Sequence, residues 1–174
     1  KSGQSPTKMS VPHIRGVSVL IEAYGYTTLF LDLFGLLHDG VHAFPGTIDC
    51  LKRLRDAGVA ICLISNTPKP SAESRKDLAE KGITQDLYDY FITAGDTAYT
   101  ALQARNDAFH AQCCGKVWFI GTSPFESLLD GLDVTQVEGP EKADFILNVI
   151  PGTGATNHGL RQSGSRRAYR RSTT

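Results

Sequence analysis

Two short segments of this 174-residue sequence carry side chains that could bind or attack a phosphoryl group. In the first, Asp32 stands near the end of an apolar run, and Gly35 after it would let a ligand approach the backbone closely. In the second, Ser65 closes another apolar run, and a small hydroxyl there can hydrogen-bond a phosphoryl oxygen beside a carboxylate. Taken alone, Asp32 could equally be an aspartate that caps a loop. The pairing of the two segments is what favours a phosphoryl site.

These side chains must be positioned by the elements around them. Leu51 and Leu54 recur at the spacing of an amphipathic helix, which Gly58 should end. Predicted strands cover residues 28–35, 59–65, 90–95, 116–121 and 143–150, and predicted helices cover residues 47–58, 71–81, 96–105 and 123–130. This alternation predicts an α/β fold, with a parallel sheet and helices on both faces. Because ligands bind outside the carboxyl ends of such strands, Asp32 and Ser65 should lie at one edge.

The composition is that of a soluble globular protein. Hydrophobic residues make up 41% and charged residues 21%, and the length suits one domain with its own core. No apolar run approaches the roughly 20 residues of a membrane span. The N-terminus lacks the order of a secretory signal. We therefore expect a cytoplasmic protein without a membrane partner.

Charge is distributed unevenly along the chain. The formal net charge is zero, but residues 151–174 contain five arginines and no acidic residue, which leaves 13 basic and 18 acidic side chains, or −5, in residues 1–150. Clustered arginines can bind nucleic acid or a membrane surface. This tail lacks a folded module and has Tyr169 as its single aromatic residue. We expect it to be disordered and solvated, with no nucleic-acid partner.

The histidines and cysteines offer weaker candidates for chemistry. His38 and His42 flank Asp39, which superficially suggests a metal site, but Gly40 argues against the helical spacing of zinc-binding histidines. Loop packing or substrate-entry contacts are the favoured roles, with Asp39 bracing the loop. No C-x-x-C pair is present, so we expect small buried residues rather than zinc ligands at the four cysteines: Cys50, Cys62, Cys113 and Cys114.

The chain resembles the haloacid dehalogenase (HAD) superfamily, and specifically its class IIA branch of nitrophenylphosphatase-like hydrolases. The resemblance covers residues 14–150 and rests on LFLDLFGLLHDGVHAFPG followed by LKRLRDAGVAICLISNTPKP. It implies an HAD-like (Rossmannoid) fold with a class IIA cap inserted after the Ser-bearing strand. It also implies Mg²⁺-dependent hydrolysis of a small phosphorylated metabolite through an aspartyl phosphate.

The same resemblance assigns roles to four residues. Asp32 becomes the nucleophile and a metal ligand, and the carbonyl of Phe34 becomes a second metal ligand. Ser65 and Asn66 would hold the phosphoryl group. These assignments come from the family pattern, and they agree with what the strand-end positions suggest.

The chain departs from the family pattern in two places. Phe34 occupies the position of the second aspartate, the general acid and base of most family phosphatases, and one branch of class IIA has an aromatic residue there. A positioned acid contributes roughly 10²–10⁴-fold, so aryl phosphates and anhydrides, whose leaving groups are acidic, should suffer least from its loss. The phosphoryl-binding lysine and the late acidic metal ligands have no recognisable counterpart, although Lys69 and Lys142 are candidates to substitute for the lysine.

These departures leave an alternative open. A truncated or frame-shifted chain would show weak or no turnover, and a catalytically impaired member could act as a binding or interaction protein. An incomplete cap would expose apolar surface and favour association, including homo-oligomers. The expected divisions are a flexible leader at 1–13, an HAD-like core portion at 14–89, a partial α/β cap at 90–150 and a disordered Arg-rich tail at 151–174.

Overall fold

The computed structural model describes residues 13–121 and 123–149. Its first sheet contains three parallel strands in the order β1-β2-β3: β1 Thr28–Leu31, β2 Ala60–Ser65 and β3 Tyr90–Thr93. The expectations of a flexible leader and a disordered tail concern residues outside the described ranges, apart from His13.

In the part of the chain that the structure describes, four α-helices accompany the strands: α1 Ser18–Glu22, α2 Thr47–Asp56, α3 Ser71–Glu80 and α4 Ala94–Ala104. Helix α2 buries Leu51 and Leu54, as its spacing predicts, and it carries Asp49 in its first turn, where a negative charge suits the helix dipole. It stops before Gly58, which has φ +74° and donates its N–H to the Arg55 carbonyl at 2.8 Å. The glycine stop predicted from the sequence is therefore confirmed.

One face of the first sheet forms the main core. Ile61 and Leu63 of β2 are fully buried there, and Phe91 of β3 is 7% exposed. Helices α2 and α3 and the turns that follow α3 cover this face with further core side chains, which include Leu51, Leu54, Leu78, Ile83 and Leu87. This packing fixes β1, β2 and β3 relative to one another.

The opposite face of the same sheet is apolar and largely open. Because side chains alternate along a strand, Phe30, Ile64, Tyr90 and Ile92 point away from the core. Phe30 is 66% exposed and Tyr90 is 64% exposed. We call these four side chains the open face. The helices of the described chain leave it largely exposed.

A second parallel sheet follows α4, in the order β5-β4-β6: β4 Gly115–Ile120, β5 Val134–Gln136 and β6 Phe145–Asn148. It has its own small core around Phe119, Leu128 and Val149. The helix predicted at 123–130 is a 3₁₀ helix at Ser123–Leu129. The α/β class with parallel strands is confirmed.

Two details of the sequence-based prediction need correction. Tyr90–Thr93, which was placed at the start of the cap, pairs with β2 in the first sheet, with Ser65 opposite Thr93. Cys50 and Cys114 are exposed rather than buried, whereas Cys62 and Cys113 are buried. Cys50 is exposed because α2 turns its leucines, and not this residue, toward the core. Among the described residues, no helix combines the length and apolar character that crossing a bilayer requires.

Candidate active site

Asp32 is the first residue after β1 and its side chain is exposed. Its Oδ1 accepts the backbone N–H of Leu33 at 2.7 Å, which leaves Oδ2 free to meet a ligand. Leu33 itself is 5% exposed, so the residue after the carboxylate is anchored in the core. The Asp32 carboxylate is thus presented to solvent from a rigid base.

The turn after Asp32 is closed by backbone hydrogen bonds. The Leu33 carbonyl accepts the N–H groups of Leu37 and His38 at 2.8 and 3.2 Å. Gly35, at φ +81°, donates its N–H to the His38 carbonyl at 2.9 Å. A positive φ of this size suits glycine, which has no Cβ to clash. Gly35 therefore serves the turn itself, in addition to any role in ligand approach.

Ser65 ends β2, the strand beside β1. Leu31 lies opposite Leu63 in the parallel register, so Asp32 and Ser65 both stand at the carboxyl edge of the sheet. The Ser65 hydroxyl oxygen accepts the N–H of Thr67 at 3.2 Å, and its hydrogen can still be donated to a ligand. Asn66 follows in the loop and is exposed. The structure places these three residues at one edge.

Phe34 turns its side chain to solvent, with 69% exposed. Its ring meets the His38 ring edge-on, with centroids 6.2 Å apart, and it also covers Gly40, where an added Cβ would lie 3.3 Å from the Phe34 Cε2 atom. A phenyl ring has no proton to transfer. No acid or base is therefore supplied at this position.

The histidine loop is braced by its own polar groups. His38 Nδ1 accepts the Gly40 N–H at 2.9 Å, and Asp39 Oδ1 accepts the N–H groups of Val41 and His42 at 2.8 and 2.7 Å. Burial, with help from the charge of Lys81, lowers the pKa of His38, so the neutral ring is favoured. The hydrogen bonds from the His42 and Val41 N–H groups lower the pKa of Asp39. Asp39 braces the loop, as its position in the sequence predicted.

The two lysines considered as phosphoryl ligands each meet a carboxylate. Lys69 Nζ lies 2.7 Å from Asp77 Oδ2, and Lys142 Nζ lies 3.6 Å from Glu138 Oε2. Lys81 is a cation that sequence reasoning missed, and it is close enough to influence the pKa of His38. Its place at the end of α3 carried no motif that could have indicated this.

The donor atoms at this edge are suited to a hard cation. The Asp32 carboxylate and the Phe34 carbonyl would offer oxygen ligands, and Mg²⁺ commonly takes one or two carboxylates together with waters and substrate phosphates. Within residues 13–121 and 123–149, no group of three or more His, Cys, Asp or Glu side chains could hold a metal ion. The chemistry of the two donors fits Mg²⁺, with water and phosphate left to complete its coordination.

A cavity of about 400 Å³ lies elsewhere, between α4, the turn before β4 and strand β6. Its lining is mainly apolar and includes Leu102, Phe109, Phe145 and Leu147. None of the predicted site residues lines it. The exposed edge at Asp32 and this cavity are separate features.

Comparison with known proteins agrees with this architecture. The family model for haloacid dehalogenase-like hydrolases matches residues 29–135, which is more than half of the chain. This chain therefore belongs to the haloacid dehalogenase-like hydrolases. A search of curated proteins finds no match.

Solved structures show the same fold. A haloacid dehalogenase-like hydrolase from Brucella suis 1330 is 27% identical, with TM-score 0.60, over 71% of this chain and 44% of that one. The 4-nitrophenylphosphatase from Thermotoga maritima has TM-score 0.57 at 16% identity, over 76% of this chain and 48% of that one. NagD from E. coli K-12 has TM-score 0.54 at 18% identity, over 76% and 50%. The match thus spans half or less of the length of these neighbours.

Proposed function

We propose that the chain carries the nucleophile half of a Mg²⁺-dependent phosphatase that acts on a small phosphorylated metabolite. The observation that supports this proposal is the position of the exposed Asp32 carboxylate and the Ser65 hydroxyl, which both lie at the carboxyl ends of adjacent parallel strands. Membership of a hydrolase family supports it. We further propose that the second sheet is a partial cap and that the protein is cytoplasmic, with neither nucleic acid nor membrane as a partner.

The proposed reaction begins with Asp32. Its Oδ2 attacks phosphorus, the bond from phosphorus to the leaving oxygen breaks, and an aspartyl phosphate forms. The Ser65 hydroxyl and the Asn66 side chain hold the phosphoryl oxygens during this step. Water then attacks the same phosphorus, releases inorganic phosphate and regenerates the Asp32 carboxylate. Mg²⁺ held by Asp32 and the Phe34 carbonyl would neutralise charge on the phosphoryl oxygens.

Phe34 narrows the substrate class. Because its ring donates no proton, the leaving oxygen must depart as an anion or take its proton from water. Aryl phosphates and phosphoric anhydrides have leaving groups that tolerate this, and simple alkyl phosphates do not. The name of the Thermotoga neighbour makes an aryl phosphate a natural first substrate.

The test is hydrolysis of 4-nitrophenyl phosphate with Mg²⁺ and with EDTA, by the wild type and by Asp32→Asn. Asp56→Asn, which alters an exposed aspartate at the end of α2, is the matched control. We expect activity in the wild type and in the control that EDTA abolishes, and none above background in Asp32→Asn. Acid-quenched protein should retain radioactive phosphate from labelled substrate only when Asp32 is present. Equal rates in folded wild type and Asp32→Asn would overturn the proposal.

A second candidate function is favoured by the engagement of Lys69 and Lys142 with carboxylates and by the ring at position 34. Under this alternative the chain is a catalytically impaired relative that binds a phosphorylated molecule without turnover. Inorganic phosphate would then bind, as measured by calorimetry, while hydrolysis stays at background. Turnover that depends on Asp32 would exclude this alternative.

A further inference from the structure

The segment between β2 and α3, residues 66–70, is held from outside by the first turn of α4. The Gly95 N–H donates to the Thr67 carbonyl at 3.1 Å. A Cβ on Gly95 would collide with the carbonyl oxygen of Pro68, so glycine is what lets α4 come this near. The loop that carries Asn66 therefore rests directly on the start of a helix.

Asp96 fixes the far end of the same segment. Its two carboxylate oxygens lie 3.2 and 3.1 Å from the Ser71 backbone nitrogen, which donates its hydrogen to them. Its own N–H donates to Thr93 Oγ1 at 3.1 Å, and Thr93 is fully buried. Thr93 in turn lies opposite Ser65 in the sheet register. Asp96 thus ties the first residue of α3 to the strand beside Ser65.

Inside the segment, the hydrogen bonds continue to the proposed phosphoryl ligand. Lys69 N–H donates to Thr67 Oγ1 at 3.3 Å, and Thr67 N–H donates to Ser65 Oγ at 3.2 Å. If Thr67 moved, the Ser65 hydroxyl oxygen would lose the N–H group that it accepts. The residue that hydrogen-bonds the Ser65 hydroxyl, Thr67, is therefore itself held by a contact from α4.

We propose that Asp96 is a positioning residue for the phosphoryl-binding segment, a role that rests on the proposed function. An anionic side chain gives no attraction to a phosphate, so the contribution of Asp96 is to geometry. Its charge lies in the first turn of α4 and against the first N–H of α3, where the partial positive charge of both helix starts favours a carboxylate. The carboxylate holds Ser71, and Gly95 holds Thr67.

The experiment compares Asp96→Ala, Asp96→Asn and Gly95→Ala with a matched control, Thr97→Ala. Thr97 donates its hydroxyl to the Thr93 carbonyl at 2.9 Å and so supports the same helix turn without touching the segment. The readouts are the Kd for inorganic phosphate, KM and kcat for 4-nitrophenyl phosphate, and amide hydrogen exchange at Thr67 and Ser71.

We expect Asp96→Ala to raise Kd and KM by roughly tenfold, the size of one hydrogen bond to a charged group. Gly95→Ala should raise both as well, because its Cβ would collide with the Pro68 carbonyl and displace the segment. The kcat should change much less, because Ser65 and Asn66 hold the phosphoryl group in the ground state as well as the transition state. Exchange at Thr67 and Ser71 should quicken. Asp96→Asn keeps one acceptor oxygen and should recover most of the affinity, and Thr97→Ala should resemble the wild type.

The outcomes separate this inference from the proposed function. If the wild type is active but Asp96→Ala has an unchanged KM, the positioning role alone is overturned. The same holds if Thr97→Ala raises KM as much as Asp96→Ala does. A folded wild type that neither binds phosphate nor hydrolyses the ester overturns the proposed function, and the positioning role with it.

Discussion

At the scale of single residues, position 34 decides which esters the proposed site can cleave. Phe34 is exposed beside the Asp32 turn, so an aspartate placed there would face the same solvent-filled edge. We expect Phe34→Asp to raise hydrolysis of an alkyl phosphate by roughly 10²-fold, the lower end of what a positioned acid contributes. Hydrolysis of 4-nitrophenyl phosphate should rise much less. The measurement is the dependence of kcat/KM on leaving-group pKa, which should become shallower in the variant.

An added carboxylate elsewhere controls for charge alone. Phe109 is 70% exposed in the turn before β4, and Phe109→Asp adds the same group away from the site. Its leaving-group dependence should match the wild type. If Phe34→Asp leaves the ratio of alkyl to aryl rates unchanged, proton delivery does not limit the reaction, and the absence of an acid at position 34 does not set the substrate class.

At the scale of elements, Asp89 joins α2 to β2 and makes that junction sensitive to pH. Its Oδ1 accepts from Arg55 Nη1 at 2.7 Å and its Oδ2 accepts the Ile61 N–H at 2.8 Å. The hydrogen bond from Arg55, followed by that from Ile61, lowers the pKa of Asp89. The folded state therefore prefers the ionised carboxylate. The ionised Asp89 carboxylate stabilises the folded state fully above the pKa of aspartate in the unfolded chain, about 3.9. This stabilisation is lost as the pH falls through the lower pKa that Asp89 has in the folded state.

The matching prediction compares urea unfolding of the wild type and Asp89→Asn between pH 7 and pH 3. The wild type should be the more stable protein at pH 7, and the difference in unfolding free energy should shrink below about pH 4. Asp56→Asn should show no such convergence. A difference between wild type and Asp89→Asn that stays constant over the whole range would show that the ionised form of Asp89 is not what links α2 to β2.

The elements that the sequence predicted are those with local signals. Helix α2 has apolar spacing and a glycine stop, and β2 is a continuous apolar run, so both were predictable from their own residues. Strand β5, Val134–Gln136, was missed because it is three residues long and is defined by its pairing with β4 rather than by its composition. Strand β3 was assigned to the wrong unit for a related reason, since sheet membership depends on a distant partner.

The candidate site divides in the same way. Asp32 and Ser65 could be located because strand ends mark them in the sequence. The hydrogen bond from the Ser71 N–H to Asp96 joins residues 25 positions apart, and no local sequence pattern predicts it. Lys81 was missed because its effect on His38 depends on how α3 packs beside the loop. The positions of the candidate side chains at strand ends were therefore predictable, and the long-range hydrogen bonds around them were not.

At the scale of the whole molecule, the open face is the feature with the largest physical consequence. Parallel sheets are normally covered on both faces, yet Phe30 and Tyr90 are about two-thirds exposed. Apolar surface of this kind favours association.

We expect the described chain to self-associate with rising concentration. The double variant Phe30→Thr, Tyr90→Thr should reduce this self-association, because threonine keeps strand propensity while removing the aromatic surface. Sedimentation velocity over a concentration series measures the effect, with Phe109→Thr as a control that removes an exposed aromatic side chain outside the first sheet. If the double variant associates as strongly as the control, another surface drives association, and the open face stays exposed to solvent although its side chains are apolar.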